Sequence, residues 1–505
     1  MICNLNALFV WLYAISGAIS IVKAQTQQVF QVDSKPVAPL STKERIAIIG
    51  AGAGGASAAY YLQRYSDNAY DITVFEKNKY IGGRSTTVNV HDDPSWPVEL
   101  GASIFVKENL NLMAAAKDLG LTVRSSELGR VKKQDDISVE DSFGIWDGKS
   151  FVFSASSESS WKSIAKMLYQ YGTAPIKARR LAKQTLGSFL KYYEESNFPF
   201  QNLTEISNRY GLVNLTDETA YNYFTEKGIS ELFVDQIVQA ATRVNYAQNV
   251  KKVQALEAVV CLAADEGLNV EGGNWRIFDA MLQKSSATVR LQTTVTEILR
   301  SSSDAGKWEL RVNDAEDAEV FDQIIIASPY HQTGIGGSLF NIPEVPYMTL
   351  YVTLFTSTKR LSPTYFGLPN SATVPTMLLT TLPADEEKGS HMPPIFNSIS
   401  IIRYIPETKE YVYKIFSPSK ITPSFLQLIF LPGAEFGWVY EKTWKPYPKL
   451  DPVAKFTDWK LDEDGIWYLN GIEQFISTME TASLAGANVA AMIVGSNNNT
   501  VISVP

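Results

Sequence analysis

A chain of 505 residues, 45% hydrophobic and 19% charged, is long enough for two packed domains and too apolar to remain disordered. Its formal net charge of −8, with no basic tract interleaved with aromatics, argues against a nucleic-acid partner. Leu8 to Val22 form an apolar run bounded by Lys23-Ala24, which reads as a secretory signal over 1–24, cleaved before a polar linker over 25–42 that contains Pro36 and Pro39. No Lys or Arg precedes the run, so an uncleaved anchor is the other reading. With the leader removed, Cys261 is the sole cysteine and no intramolecular disulfide forms. Three sequons, at Asn202, Asn214 and Asn498, accord with an exported glycoprotein.

The densest signal follows the linker. Arg45-Ile-Ala-Ile-Ile49 is a β-branched strand that stops at Gly50-Ala-Gly-Ala-Gly-Gly55, and an alanine-rich helix begins directly after it. Gly50 permits a tight turn, Gly52 lets backbone approach a pyrophosphate, and Gly55 lets the helix pack close on the strand; Gly54 lies within the same loop. Asp71-Ile-Thr-Val-Phe75 predicts a second parallel strand, ending at Glu76, whose carboxylate suits a ribose. Phosphates would rest on the helix N-terminus. The series predicts a dinucleotide-binding unit of Rossmann type.

Residues 109–246 read as mostly helical. Leu181, Ala182, Thr185, Leu186, Phe189, Leu190 and Tyr193 recur at helical spacing, accompanied by Lys177, Arg179, Arg180, Lys183 and Lys191. That basic set is a solvated face or a membrane-surface face. Cys261 lies in the apolar run 258–264, as a core thiol. Residues 288–329 show β patterning broken by a turn at 301–306. Residues 347–459 are strand-rich and aromatic, suited to a substrate-binding sheet. A small-residue helix over 478–494 closes the chain, too short to span a bilayer and suited to packing against a cofactor. The histidines, His91, His331 and His391, fall outside every motif and read as surface or loop residues.

Four segments in order resemble the flavoproteins of the amine oxidase and phytoene desaturase type. They are Gly82-Gly83-Arg84, Glu99-Leu-Gly101-Ala102-Ser103, Thr294-Val295-Thr296-Glu297-Ile298, and Phe321 to Pro329. The resemblance implies FAD, with Arg84 at its polar parts, Gly101 to Ser103 beside the isoalloxazine and Val295 at the adenine. A covalent link through Cys261 is the minor alternative to noncovalent FAD.

Arg243-Val-Asn245-Tyr-Ala-Gln248, Val270-Glu-Gly-Gly-Asn274, Lys442-x-Trp444-x-x-Tyr447-Pro448 and Tyr468-Leu-Asn-Gly471-Ile-Glu473 with Met479-Glu480 narrow this further. They resemble the prenylcysteine oxidase family, called farnesylcysteine lyase in plants. That resemblance implies oxidation of farnesyl- or geranylgeranylcysteine by FAD and oxygen, giving a prenyl aldehyde, cysteine and hydrogen peroxide. It also implies residence in lysosomes or vacuoles, peripheral membrane association, and Gly471, Glu473 and Glu480 near the flavin. Arg243, Asn245 and Lys442 are candidates for the substrate site, with Arg243 either meeting the cysteine carboxylate or pairing with a nearby acid. Glu271 and Glu473 either flank the flavin or serve as caps. The alternatives are an amine oxidase, disfavoured by Asn470-Gly-Ile-Glu473 in the last module, and a flavin-binding lipid carrier without turnover.

The fold expected is α/β: a three-layer Rossmann-type FAD domain with a parallel sheet, from 43–108, 250–335 and 460–495. A discontinuous α+β substrate domain would come from 109–249 and 336–459. No metal site is expected.

Overall fold

The computed structural model describes residues 43–126, 142–156, 160–263, 267–313, 315–336, 340–383 and 393–498. The leader, the linker, His391 and Thr500 of the last sequon lie outside these residues.

The chain enters with strand β1 (Glu44–Ile49), helix α1 (Ala53–Ser66) and strand β2 (Tyr70–Phe75). β1 and β2 pair in parallel, Ile46 opposite Ile72 and Ile48 opposite Val74. This is the right context for the glycine loop: strand, turn, helix, strand. Helix α2 (Leu110–Asp118) follows.

The next segment departs from the helical expectation. Strands β3 (Ser142–Trp146) and β4 (Phe151–Ser156) form an antiparallel hairpin before the helices begin. Then come α3 (Ser160–Tyr171), α4 (Ala174–Leu190), α5 (Gln239–Tyr246) and α6 (Ala255–Ala263), among shorter helices. In α4 the expected stripe is buried at Ala182, Thr185 and Phe189. Helix α6 packs with α4 and α5.

Helix α7 (Trp275–Ser285) leads to β5 (Thr288–Arg290), then to the antiparallel set β6 (Val295–Arg300), β7 (Trp308–Val312) and β8 (Glu319–Phe321), and to β9 (Gln323–Ile326). The strand-rich region supplies β10 (Leu350–Ser357), β11 (Met377–Thr380), β12 (Ser398–Ile405), β13 (Glu410–Ser417) and β14 (Phe436–Trp444). Strands β15 (Lys460–Asp462) and β16 (Ile466–Tyr468) precede the closing helix α8 (Met479–Asn498).

Two sheets organise the molecule. The cofactor sheet runs β15-β16-β9-β1-β2-β5, parallel except for its edge pair β15 and β16. Alternation along β1 divides its two faces. Ile46 and Ile48 pack toward the helices, while Ala47 and Ile49 pack toward Val295, Ile298, Trp308 and Leu310 of the antiparallel set. Three layers result. The second sheet runs β14-β10-β13-β12-β11-β3-β4, so the hairpin extends the substrate sheet at its far edge.

Helix α8 corrects one expectation. Its small residues serve mainly to let it close on α1: a Cβ on Gly486 would sit 2.4 Å from the Gly54 carbonyl oxygen, and Ser57 and Ser483 hydroxyls meet at 2.8 Å. Only its first turn reaches the cleft described below, through Met479 and Ala482. α2 packs against α8 and α7. Among the described residues no helix is long and apolar enough to cross a membrane.

Candidate functional site

A cleft with an internal volume of about 490 Å3 starts at the carboxyl ends of β1 and β2 and continues to the substrate sheet. Gly50 takes φ +113°, and a Cβ there would lie 2.8 Å from the Ala327 carbonyl oxygen. Gly52 caps α1 without a side-chain hydrogen bond, leaving first-turn N–H groups facing the cleft. Gly82 bridges to Gly52, its N–H donating to the Ala51 carbonyl at 3.0 Å. A Cβ on Gly83 would come within 3.3 Å of Gly52 Cα. The two glycine segments therefore meet backbone to backbone.

Glu76 is buried at the end of β2. Its carboxylate accepts from Ala51 N at 2.9 Å and Asn78 N at 2.8 Å, which fixes the turn and still leaves lone pairs toward the cleft. Val295 stands beside it at the start of β6. Arg84 forms a fork on Glu473, donating from one nitrogen at 3.0 Å and from the other through a shorter bond, and also donates to the Pro446 carbonyl at 2.8 Å. Burial works against the Arg84 charge, but the adjoining Glu473 carboxylate raises its pKa above the ordinary value. Tyr347 donates to the same carboxylate at 2.7 Å.

The wall at Gly101, Ala102 and Ser103 is held from the start of α7 and from strand β13. Asn274, capping α7, donates its N–H to the Glu99 carboxylate at 2.7 Å and its amide to the Ala102 carbonyl at 2.8 Å. From β13, the Lys414 ammonium donates to the Glu99 carbonyl at 2.9 Å and to Ser103 Oγ at 3.2 Å. Gly101 leaves room for Trp444, whose ring would stand 3.0 Å from a Cβ there. Lys414 escaped the sequence reading. Its one signal is a lysine inside the apolar strand Tyr-Val-Tyr-Lys414-Ile-Phe.

The substrate half contributes Asn245 and Tyr246 from α5, with Leu350, Phe416, Lys442 and Tyr447. Tyr246 and Tyr447 meet edge to face, centroids 5.4 Å apart. Three buried polar atoms on the cleft wall, Ser85 Oγ, Trp444 Nε1 and Asn470 Oδ1, have no hydrogen-bond partner among the described residues. Unmet buried polar groups of this kind suit a polar ligand. With the uncapped helix and the glycine cradle, these residues fit an elongated dinucleotide.

Several expected site residues stand elsewhere. Arg243 is buried off the cleft and ties α5 to the substrate sheet, donating to Thr380 Oγ1 at 3.0 Å and Asn249 Oδ1 at 3.2 Å. Gly55 belongs to the strand–helix contact: a Cβ there would collide with the Gly50 carbonyl oxygen at 1.9 Å. Gly471 faces Thr457, and Glu271 pairs with Arg124 at 2.8 Å. Glu480 caps α2, accepting from Asn111 N at 2.8 Å, Leu112 N at 3.0 Å and Tyr193 OH at 2.5 Å. Glu480→Ala leaves those three donors unmet and is expected to cost about 3 kcal/mol or more, read by urea denaturation. His91 meets Glu410 at 2.8 Å, and His331 meets the Ile342 carbonyl at 3.1 Å. Asn202 caps a helix through Glu205 N at 3.0 Å and holds Asp458 at 2.7 Å, whereas Asn214 is exposed.

Three buried carboxyls set a pH dependence. Burial pushes Glu99 up to about 8 and Glu257 and Glu480 up to about 7. All three groups release their protons near 4.5 once unfolded. Between these values the native chain holds protons that the unfolded chain has lost, so stability falls as pH rises from about 5 to 8. Lys414, lowered to about 8 by burial, acts in the opposite sense only above that pH. The melting temperature at fixed flavin loading should be lower at pH 8 than at pH 5, and Glu257→Gln should flatten the slope. A melting temperature that rises over this window contradicts the assignment.

A family model described as prenylcysteine lyase matches residues 154–503, and an NAD(P)-binding Rossmann-like model matches 48–119. Farnesylcysteine lyase of Arabidopsis thaliana is 30% identical, over 89% of this chain and 88% of its own. The chain belongs to the prenylcysteine lyase family. Prenylcysteine oxidase 1 of Bos taurus, also similar, is 28% identical over 90% of this chain and 89% of its own. The family model covers both sheets' later strands and the closing helix, including the segments around Asn245, Asn274, Trp444 and Glu473. In fold, the chain is similar to cyclohexylamine oxidase of Brevibacterium oxydans (TM-score 0.58, 16% identity, 90% of this chain and 99% of that one). It is also similar to putrescine oxidase (TM-score 0.53, 14% identity, 90% and 99%). A prenylcysteine lyase family member thus has the amine-oxidase-like flavoprotein fold, and a flavin is the cofactor implied.

Proposed function

We propose that this chain is an FAD-dependent thioether oxidase that cleaves farnesyl- or geranylgeranylcysteine. The observation that carries the reading is relatedness along nearly the whole chain to farnesylcysteine lyase and prenylcysteine oxidase, joined to a cleft of matching chemistry. In balance, the prenylcysteine, oxygen and water become prenyl aldehyde, free cysteine and hydrogen peroxide.

FAD, when bound, would supply the hydride acceptor and the route for electrons to oxygen. The carbon that loses hydride is allylic and bonded to sulfur, so the π-system and a sulfur lone pair stabilise the cation. Water adds, and the hemithioacetal collapses to aldehyde and thiol. No strong side-chain base is needed for the first step, and positioning carries much of the rate. Leu350, Phe416, Tyr246 and Tyr447 supply apolar surface for a prenyl chain, while half-buried Lys442 offers its charge to the cysteine carboxylate. Gly50, Gly52, Gly54, Gly82 and Gly83 would hold the pyrophosphate region, and Glu76 and Val295 the adenosine.

Noncovalent attachment is supported by the position of Cys261, which is buried and off the cleft wall. The mature chain is proposed to begin near Gln25, to carry glycan at Asn202 or Asn214, and to work in the secretory pathway, in a lysosome or vacuole. Exposed Asn214 supports that reading. A size shift on deglycosylation tests it.

Hydrogen peroxide release on adding farnesylcysteine tests the activity. Release with a polyamine instead would make the chain an amine oxidase, and release with neither would leave a flavin-binding carrier.

A further inference from the structure

The surface around α3 and the start of α4 has a composition found nowhere else in the chain. From Trp161 through Tyr193 there are seven basic residues, Lys162, Lys166, Lys177, Arg179, Arg180, Lys183 and Lys191, and no Asp or Glu, in a protein of net charge −8. Charge of one sign concentrated this way creates a local positive field against an acidic background.

The placement of apolar side chains on the same surface is the second observation. Helix α3 buries Ser163, Met167 and Tyr171, with Met167 and Tyr171 in the core beside Phe153 of edge strand β4. Its opposite face presents Trp161 at 69% exposure and Tyr169 at 94%, two helical turns apart, with Lys162 and Lys166 between them. After the corner at Gly172, the first turn of α4 presents Ile176 at 50% exposure next to Lys177. A single exposed aromatic needs no explanation. A tryptophan, a tyrosine and an isoleucine on one corner, interleaved with lysines and free of carboxylates along the helices, is the pattern of a face that lies in a lipid–water interface. There, aromatic rings sit at headgroup level and lysines meet anionic phosphate.

We infer that the corner formed by α3 and the first turn of α4 is a docking surface for an anionic lipid bilayer. Trp161, Tyr169 and Ile176 enter the interface, and Lys162 engages the headgroups, joined by Lys166 and Lys177, which exchange the Ser154 and Gly228 oxygens they meet at 3.3 and 2.8 Å for lipid phosphate. The inference stands on this surface alone and is independent of the reaction proposed above. A bilayer suits the patch better than a soluble polyanion, which would use the lysines and leave the aromatic side chains in water.

The test is co-sedimentation of the flavin-loaded full chain with vesicles of phosphatidylcholine, alone or mixed with phosphatidylserine. Binding to the mixed vesicles, weakened by salt, is expected. Lys162→Glu with Lys166→Glu and Lys177→Glu should reduce it at least about tenfold. Trp161→Ala with Tyr169→Ala should reduce it several-fold, and both variants should keep the wild-type circular dichroism and peroxide rate with a soluble substrate. No binding to the mixed vesicles overturns the proposal. So does binding that both variants retain. Tight binding to heparin, unaffected by the aromatic variant and without vesicle binding, would make the patch a polyanion site instead.

Discussion

Gly52→Val is expected to yield a folded, colourless protein. A Cβ at Gly52 has its nearest neighbour, Gly83 Cα, at 3.9 Å, so the chain itself tolerates a side chain there. The two added methyl groups extend into the cleft in front of the first turn of α1, where the pyrophosphate must lie. Gly55→Val, three residues on, is expected to behave in the opposite way. Its Cβ would sit 1.9 Å from the Gly50 carbonyl oxygen and force α1 off β1, so the fold itself should fail. Circular dichroism and flavin absorbance of the two variants separate the effects. A full flavin complement in Gly52→Val, or a normal fold in Gly55→Val, contradicts the assignment of this loop.

Arg84→Leu carries the second large effect. The Glu473 side chain is 4% exposed, and Arg84 supplies its opposite charge through a two-bond fork. Removing one partner of a buried pair leaves the other charge uncompensated, a cost of about 3–5 kcal/mol. Tyr347 at 2.7 Å and Asn470 at 2.6 Å remain as donors to Glu473, which points to the lower end, about 3 kcal/mol. Adding Glu473→Leu should recover much of the loss, because the stranded charge is gone. Urea denaturation of single and double variants gives the comparison. Equal stability of wild type, single and double variants would show that the pair does not hold the last module against the glycine–arginine segment.

The parts of the site that were legible in sequence are those whose requirements are local. Gly50 needs a positive φ within the turn that it ends, and Ile46 to Ile49 declare a buried strand by composition alone. The later segments, Val295 and Asn470 to Glu473, were legible through their order along the chain. The β3–β4 hairpin was not, because β3 finds its parallel partner in β11, more than two hundred residues on, and a short apolar stretch carries no sign of that. Lys414 and Glu480 follow the same rule. Glu480 sits in a recognisable motif, yet its role is to cap a helix 369 residues away in sequence. Arg243 likewise has a motif position and a purely tertiary task, joining α5 to β11.

The motif Val270 to Asn274 acquires a physical reason only in the folded chain. Gly272 and Gly273 take φ +83° and +118°, which turns the chain so that Asn274 can bond Val270, Glu99 and Ala102 together. One asparagine thereby fixes the wall formed by Gly101 to Ser103, and Lys414 secures it from the second sheet.

Anaerobic rapid mixing of the flavin-loaded protein with farnesylcysteine tests the central claim most directly. The oxidised-flavin absorbance band should bleach, more slowly when the substrate carries deuterium at the sulfur-bearing carbon, with farnesyl aldehyde and free cysteine recovered. Absence of bleaching with any prenylcysteine, together with rapid bleaching by an amine, would contradict the account.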